Sequence, residues 1–360
     1  MIANSLVPFT VLESEANVLA LAGAGTSEYR VGDARIVCGA AAAVVIAEAH
    51  DDLAVSGVRN SRTFELIDTA LDDSAGWPPM LVGLVLMFVR VPHGIVYLGQ
   101  GQWRQWGNGY EGGFSAVLEI RPPVPGPVLD RVRPPHPPAP VPDDGWMDLV
   151  ADDPQAALAE FVTGWHPTAQ AAPALNLPGT TKPLIPQPLA HFHRLAADRP
   201  RILGVQNFIE PWEKLSPRPG ELMQIAVENQ GGWGWLVDPT EPDPAVWVHH
   251  DDVTPMEREP EPLSTWLLQF ALAEAACGGP YGAFATQVPT PRVDDLARML
   301  RRVPLRSRSW SGYPASFYVA PGLVVKVSGD QYISVVAAAK HRALLHPLAQ
   351  AGIEWLKFDG

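Results

Sequence analysis

The amino-acid sequence predicts an α+β protein made of two domains that are joined by a proline-rich linker. Runs of apolar and β-branched residues with strand character occur in both halves of the chain, and segments with helix start and stop signals concentrate in the second half. Ten prolines cluster between the two halves. The chain has 360 residues, which is long for one domain and comfortable for two. A hydrophobic content of 47% with 18% charged residues supports packed cores.

Residues 1–120 predict a smaller, strand-rich α+β domain. Residues 34–39 have strand character, and residues 40–49 fit either a strand or a helix. The uninterrupted apolar run of residues 80–91 is typical of a strand that is buried on both faces. Residues 94–98 follow after Pro92 and His93, which indicates a hairpin, and residues 112–120 alternate as a half-exposed strand does.

A group of aromatic residues in this first domain is a candidate binding surface. It interleaves Trp103, Trp106 and Tyr110 with Arg104 and amide side chains, a pattern that can stack on a base or sugar or form an interface hot spot. The alternative is a hairpin loop whose tryptophans fold under and cover the core. Residues 1–120 carry thirteen acidic residues against six arginines and no lysine, which disfavours a nucleic-acid groove.

Residues 121–144 predict the linker. Ten of its residues are prolines, which have no N–H donor and interrupt helices and strands, so neither a helix nor an inner strand is expected there. We expect an extended polyproline II spacer, and the alternative is a docking ligand for an aromatic groove.

Residues 145–360 predict the second domain, in which an antiparallel sheet packs against helices. Asp153 and Pro154 form a helix start, and a further helix is expected over residues 186–197. Ser264 is expected to cap a helix that runs to Ala276. The tail predicts more elements of the same domain: helices at 293–302 and 341–351, and strands at 316–319, 323–327 and 332–336.

The most informative stretch of the chain runs from Glu228 to Pro239. An apolar strand precedes it, and Gly231-Gly232 predicts a two-residue hairpin turn, because glycine enters positive φ without steric cost. Trp233 and Trp235 lie two positions apart, so on a strand both rings point to one face. Both tryptophans can belong to the core, but Trp233 lies beside the turn, where a ring can be exposed.

This stretch resembles the central signature of the SMI1/KNR4 superfamily, also called SUKH. Residues 184–192 resemble the family's early Leu-Pro segment and first helix, and residues 263–270 resemble its closing helix. The likeness covers roughly residues 180–275, although the usual Asn-Gly end of the first helix is replaced by residues 195–200. It implies a SUKH-like second domain and, as in many bacterial members, a non-enzymatic immunity protein that neutralises a cognate toxin.

The resemblance implies a protein partner, such as a toxin or effector domain, and residues that bind it. The expected partner-binding residues are Glu228, Gly231, Gly232, Trp233, Trp235 and Asp238. In this interpretation Trp233 is the aromatic anchor, and Glu228 and Asp238 belong to a charged rim. The alternative function is a regulatory or scaffolding module whose N-terminal domain recognises a small ligand or a second partner.

Charge and cysteine content exclude several other classes of function. A formal net charge of −13 disfavours nucleic acid or an anionic membrane as the partner and favours a basic protein, such as a nuclease. Cys38 and Cys277 lie far apart and form neither a disulfide framework nor a thiolate metal site. Since the sequence contains neither a secretion signal nor a run of roughly 20 apolar residues, we expect a cytoplasmic protein.

Catalytic signals are weak, and the sequence predicts no enzyme, cofactor or metal site. The run His249-His250-Asp251-Asp252 could provide metal ligands, but adjacent strand residues point to opposite faces, so a polar turn is expected. His191 and His193 do not share a helix face and are expected to be surface or half-buried residues. Gly23 and Gly25 lack the context of a phosphate-binding loop. A hydrolase or transferase in the N-terminal domain is the remaining catalytic alternative.

Overall fold

The computed structural model describes residues 6–51, 55–68, 70, 83–108, 113–134, 141–168, 184–250, 255–306 and 314–360. Helices and numerous strands both contribute, and the described strands lie in three sheets, so the α+β prediction is confirmed. The chain divides into two compact units, residues 1–137 and residues 138–358. This division falls inside the proline-rich stretch.

The first unit consists mainly of strands. Its described elements, in chain order, are β1 (Val11–Leu12), α1 (Glu15–Ala20), β2 (Ser27–Val31), β3 (Ala34–Cys38), β4 (Ala43–Glu48), β5 (Gly57–Asn60), β6 (Thr63–Asp68), β7 (Val85–Val91), β8 (Gly94–Asn108), β9 (Phe114–Arg121) and α2 (Gly126–Val132). The ambiguous residues 40–49 thus form a strand. The long apolar run is a strand from Val85 onward, and its residues 80–82 lie outside the described residues.

One curled sheet contains all nine strands that the structure describes in this unit. Its order is β2-β3-β4-β7-β8-β9-β6-β5, and β1 pairs with β8. All pairs are antiparallel except β4 with β7. The curl brings the two ends of the sheet together, since the Ser56 hydroxyl donates to the Val31 carbonyl at 2.9 Å and the Gly32 N–H donates to the Asp68 carboxylate at 2.9 Å.

The prediction of an extended spacer over residues 121–144 is wrong for its first part. Helix α2 lies there, and it buries Leu129 and Val132 in the core of the first unit. Its prolines stand where a helix tolerates them. Pro125 precedes the first turn and Pro127 lies within it, where backbone N–H groups have no acceptor inside the helix. Residues 135–140 lie outside the described residues.

The second unit combines two antiparallel sheets with helices. Its described elements are a 3-10 helix (Gly145–Leu149), α3 (Pro154–Trp165), α4 (Gln187–Asp198), a 3-10 helix (Pro200–Leu203), β10 (Asn207–Ile209), β11 (Met223–Glu228), β12 (Gly234–Val237), β13 (Ala245–His249), β14 (Glu257–Pro262), α5 (Leu263–Gly278), β15 (Tyr281–Ala285), α6 (Thr290–Met299), β16 (Arg301–Arg302), β17 (Ala315–Ala320), β18 (Leu323–Ser328), β19 (Ser334–Ala339), a 3-10 helix (Arg342–Leu345), α7 (His346–Ala349) and β20 (Lys357–Phe358).

Helix α5 lies at the centre of this unit. The first sheet has the order β10-β11-β12-β13-β14, and the second has the order β16-β17-β18-β19-β15-β20. Helix α5 contacts β13 and β14 of the first sheet, β18 and β19 of the second, and helices α3 and α4. From Leu263 to Ala276 every residue of α5 except Thr265 is buried, because the helix is apolar on nearly all sides and can be stable only when covered on all sides.

Two predictions about helix starts have different outcomes. Asp153 is the N-cap of α3, as predicted, and its carboxylate accepts a hydrogen bond from the Ala156 N–H at 2.9 Å. The prediction that Ser264 caps α5 is wrong, since the N-cap is Pro262. Ser264 instead donates from its backbone N–H and its hydroxyl to the Asp243 carboxylate, at 2.8 and 2.7 Å. A carboxylate that is distant in sequence thus satisfies the first turn of α5.

The tail contains the predicted strands, but its helices differ from the prediction. Helix α6 begins at Thr290 and ends at Met299, earlier than expected, because Arg301 and Arg302 pair with β17. A 3-10 helix and the short α7 replace the long helix predicted over residues 341–351. Pro347 explains this difference, because it has no N–H with which to continue a helix. No helix among the described residues is long and apolar enough to cross a membrane.

His166 directly follows α3, and its pKa lies well below that of an ordinary histidine. Burial lowers its pKa to about 4 from the ordinary value of 6.5, and repulsion from Lys340 and two arginines adds to this effect. Its buried Nε2 has no hydrogen-bond partner in the described part of the chain. The unfolded chain binds a proton here near pH 6.5 and the folded chain only near pH 4, so acidification between these values favours unfolding.

We therefore expect the free energy of unfolding to fall by about 2 kcal/mol between pH 6.5 and pH 4 because of His166, somewhat less than the full shift because the ring is not wholly buried. Urea unfolding at a series of pH values measures this loss, and His166→Gln should flatten it. Burial also lowers the pKa of His191, so His191 adds to the pH dependence of the unfolding free energy in the wild type and in His166→Gln alike. The matched control is His346→Gln, at an exposed histidine, which should keep the wild-type slope. An unchanged slope in His166→Gln would contradict this assignment.

Candidate functional site

The hairpin between β11 and β12 is wider than its sequence predicts. The Glu228 N–H donates to the Trp233 carbonyl at 3.0 Å, and the Gly231 N–H donates to the Glu228 carbonyl at 2.9 Å. Four residues, 229–232, therefore separate the closing pair, and the predicted two-residue turn is wrong. Gly231 has a φ of 74°, which fits a turn that is followed by one residue in the left-handed region.

The side chain of Glu228 explains the wider turn. Its Oε2 accepts hydrogen bonds from the backbone N–H groups of Gln230, at 2.8 Å, and Gly232, at 3.1 Å. The residue is only 7% exposed. The structure thus assigns Glu228 to the inside of the loop and corrects its expected position on an exposed rim.

Asp238, the other expected rim residue, also holds a turn. It is half-buried, and its Oδ1 accepts hydrogen bonds from the Thr240 hydroxyl at 2.6 Å and from the Thr240 N–H at 2.9 Å. These bonds hold the pKa of the Asp238 carboxyl below its usual range. Asp238 therefore organises the loop after β12.

The two tryptophans of residues 228–239 have different environments. Trp235 is fully buried, lies 5.8 Å from the Trp266 ring, and donates from its indole Nε1 to Glu259 Oε1 at 3.3 Å. Trp233 is half-buried: it packs against the same core, and its ring lies 6.1 Å from that of His250. Its Nε1 has no hydrogen-bond partner among the described residues. Trp235 is therefore a core residue, and Trp233 lies at the edge of the core.

Trp233 forms one wall of a small cleft, which we call the Trp233 cleft. Its volume is about 110 Å³. Four separate parts of the second unit supply its walls: the entry to β10, the β11–β12 hairpin, the C-terminal half of α5, and β18. The lining residues are Gln206, Asn207, Glu228, Trp233, Ala273, Glu274, Cys277 and Lys326.

Glu274 fixes one side of the Trp233 cleft. Its Oε2 accepts hydrogen bonds from the N–H groups of Val205 and Gln206, both at 2.6 Å. Its Oε1 accepts from the backbone N–H and the side-chain amide of Asn207, at 3.1 and 2.9 Å. A carboxylate that is only 2% exposed thus has four donors, which is how a protein keeps a buried negative charge.

Lys326 and Cys277 determine the chemistry of the cleft. Burial lowers the pKa of Lys326, and the nearby Cys277 and Glu274 partly oppose this shift. Cys277 is exposed as a residue and lines the cleft; desolvation raises the pKa of its thiol, Lys326 partly opposes this shift, and Glu274 adds to it. The thiol is therefore protonated at neutral pH and is a poor nucleophile. The arrangement suits binding better than covalent catalysis.

Sequence reasoning did not find Glu274, Cys277, Lys326 or Asn207. A signal was present for two of them, because Glu274 is an isolated acid in the apolar run 270–276 and Lys326 is an isolated cation in the apolar strand β18. An isolated charge in a buried element needs a partner, and such groups often mark a site.

The histidines do not form a metal site in the part of the chain that the structure describes. No group of three or more His, Cys, Asp or Glu side chains there could hold a metal ion. His249 ends β13, while Asp251 and Asp252 lie outside the described residues. His191 is half-buried, as predicted, but His193 is buried, at 4% exposure, so the prediction of a surface or half-buried position is wrong for His193. It packs edge-on to Trp212 with 5.3 Å between the ring centroids.

The candidate surface of the first unit lies on strand β8. Trp103 and Trp106 are half-buried, lie edge to face at 4.6 Å, and pack against the core of this unit. The strand register shifts between Trp103 and Gln105, so Arg104 is the extra residue of a bulge. The bulge brings both rings to one face, whereas a regular strand would separate them. Arg104 is exposed and pairs with Glu119, and Tyr110 lies outside the described residues.

No protein-family model, curated protein or solved structure matches this chain. The interpretation of the Trp233 cleft therefore depends on its own geometry and charges.

The left-handed conformation of Gly231 can be tested by substitution. Gly231→Ala should lower the free energy of unfolding by about 1 kcal/mol, because a Cβ atom disfavours positive φ. Gly232→Ala is the matched control, since its added Cβ would meet only Glu228 Oε2, at an ordinary 3.5 Å. Chemical denaturation measures both variants, and equal losses would contradict the turn geometry.

The different burial of the two tryptophans leads to a second stability prediction. Trp235→Ala should cost about 3–5 kcal/mol, as is usual for a large core side chain. Trp233→Ala should cost about 1–2 kcal/mol, because the ring packs on one side only. Urea unfolding midpoints distinguish the two substitutions. If both variants lose the same stability, Trp233 belongs to the core and is not available to a partner.

Proposed function

We propose that this chain is a non-enzymatic protein that binds and neutralises a positively charged protein, such as a basic toxin domain, through the Trp233 cleft and its hairpin. The proposal agrees with the resemblance of residues 180–275 to the SUKH signature, whose bacterial members include immunity proteins. It extends that likeness to a particular site and a particular chemistry of the partner.

The observation that carries the proposal is the pairing of a half-buried tryptophan with buried carboxylates in one cleft. Trp233 offers an aromatic face, and Glu228 and Glu274 add two carboxylates against the single cation of Lys326. An aromatic face beside negative charge attracts an ammonium or guanidinium group. A volume of about 110 Å³ fits the tip of one side chain better than a whole ligand. A lysine or arginine of the partner is the expected occupant.

The negative net charge of the whole chain also favours a positively charged partner. A net charge of −13 attracts a basic protein over distances comparable with the Debye length and accelerates association at low salt. Attraction of this kind gives speed and selectivity, while a desolvated aromatic contact slows dissociation. Added salt should therefore slow association with the partner, whereas loss of the Trp233 ring should speed dissociation.

The first experiment is capture of the partner on immobilised, tagged protein from lysate of the cells that produce it, followed by purification of the captured protein. The expected result is a single basic protein that forms a stoichiometric complex and is released at high salt. Trp233→Ala should weaken this complex by about thirtyfold, as truncation of an interface hot spot does.

The matched control is Leu356→Ala, which truncates an apolar residue that is 68% exposed and does not line the cleft. It should bind as the wild type does. Capture of an acidic partner, insensitivity to salt, or equal affinities of Trp233→Ala and the wild type would overturn the proposal.

A further inference from the structure

A second, larger cavity lies in the second unit, and we call it the Trp165 pocket. Its volume is about 750 Å³, within the range of small-molecule sites. Its residues come from the segment that begins at Val141, from α3, and from the strands and turns between Val319 and Lys340. None of its lining residues belongs to the Trp233 cleft, so it is a separate site.

A backbone hydrogen bond and a close contact fix the walls of the Trp165 pocket. The Gly322 N–H, in the turn between β17 and β18, donates to the Pro142 carbonyl at 2.9 Å. On the other side, a Cβ built on Gly164 of α3 would lie 3.0 Å from the Cβ of Pro142. The segment 141–143 therefore lies between α3 and the β17–β18 turn, so the pocket has defined walls.

Three aromatic rings form one side of the pocket. The centroids of Trp146 and Phe161 are 5.1 Å apart, and those of Phe161 and Trp165 are 5.9 Å apart with an interplanar angle of 23°. Each of these residues is 4% exposed, so each offers only part of its surface to a ligand. Aliphatic side chains, including Leu323 and Val324, also line the pocket. Walls of this kind favour a flat apolar body.

One cation lines this apolar space. The Lys340 Nζ donates to the Trp165 carbonyl at 2.6 Å and lies 5.6 Å from the centroid of the Trp165 ring. An ammonium has three N–H donors, and the Trp165 carbonyl takes one of them. The acidic lining residues, Asp143 and Glu160, are both exposed and lie at the edge of the pocket, where water screens them.

We propose that the Trp165 pocket binds a small aromatic carboxylate, whose ring packs on Trp146, Phe161 and Trp165 and whose carboxylate accepts hydrogen bonds from the Lys340 ammonium. The apolar walls supply most of the affinity by burying the ring. The charge-assisted bond to Lys340 selects an acid over a neutral molecule of the same shape. This site is independent of the proposed protein partner.

Calorimetric titration with 2-naphthoate and with 2-naphthamide tests the proposal, because these probes share a ring system and differ in charge. The wild type should bind the naphthoate at least about tenfold more tightly than the amide. Lys340→Met should remove this preference, since it keeps the length of the side chain and deletes the cation. The proposal would be overturned if neither probe bound the wild type. It would also be overturned if Lys340→Met kept the wild-type preference for the naphthoate over the amide.

A second variant keeps the test valid if Lys340→Met fails to fold. Ala159 lines the pocket on a half-buried position of α3, so Ala159→Trp should fill the space and abolish binding of both probes. Asp294→Trp is the control, because it adds the same ring at an exposed position of α6 that does not line the pocket. It should bind both probes as the wild type does. Undiminished binding by Ala159→Trp would show that the probes bind elsewhere and would reject this pocket as the site.

Discussion

The second unit depends on the burial of α5 on every side. A helix without a polar face cannot lie at a surface, so strands and helices must cover it all round, and the two sheets of this unit together with α3 and α4 do so. The same burial makes Glu274 costly, because an ionised carboxylate in an apolar layer needs several donors. The chain supplies them by turning residues 205–207 toward the helix. Gly278 leaves room for this close approach, since a Cβ there would lie 2.7 Å from Val205 Cγ2. The requirement to satisfy one buried charge therefore fixes the entry to β10.

The Trp233 cleft follows from this arrangement. Once residues 205–207 are tied to α5, the β11–β12 hairpin stands next to them through the pairing of β10 with β11, which sets Asn207 opposite Glu228. Trp233 closes the hairpin and so reaches the same edge. Lys326 approaches from the second sheet on the face of β18 that packs against α5. Polar groups from four segments that are distant in sequence thus meet at the edge of the apolar core. Because the Cys277 thiol is protonated and a poor nucleophile, these groups are suited to electrostatic recognition and not to covalent catalysis.

Local sequence patterns predicted the elements better than their details. Apolar runs identified the strands β7, β17 and β18, and Asp153 identified the start of α3, because each of these signals is contained in a few adjacent residues. The failures have long-range causes. The Glu228 side chain widened the hairpin, Asp243 capped α5 in place of Ser264, and α2 formed among prolines because the core of the first unit accepts its apolar face. The bulge at Arg104 was not predicted either, since the local sequence pattern does not indicate an extra residue in the strand. The spacing of Trp233 and Trp235 predicted that both rings lie on one face of a strand. It did not show that Trp235 is fully buried and Trp233 only half-buried.

The two cavities of the second unit differ in ways that assign them different occupants. A cleft of about 110 Å³ with two carboxylates against one ammonium can admit a single charged group, and the rest of such a ligand must lie outside it, as the body of a protein does. A pocket of about 750 Å³ with aromatic walls can enclose a whole small molecule, and burial of the molecule's apolar surface is what makes binding favourable there. Helix α3 carries much of the aromatic wall of the pocket and packs on α5, which carries Glu274 and Cys277 of the cleft. Because interiors are close-packed, a ligand that tightens α3 can influence the cleft only if α5 has a second stable position. The four donors to Glu274 hold α5 in its observed position, so the two sites should act independently.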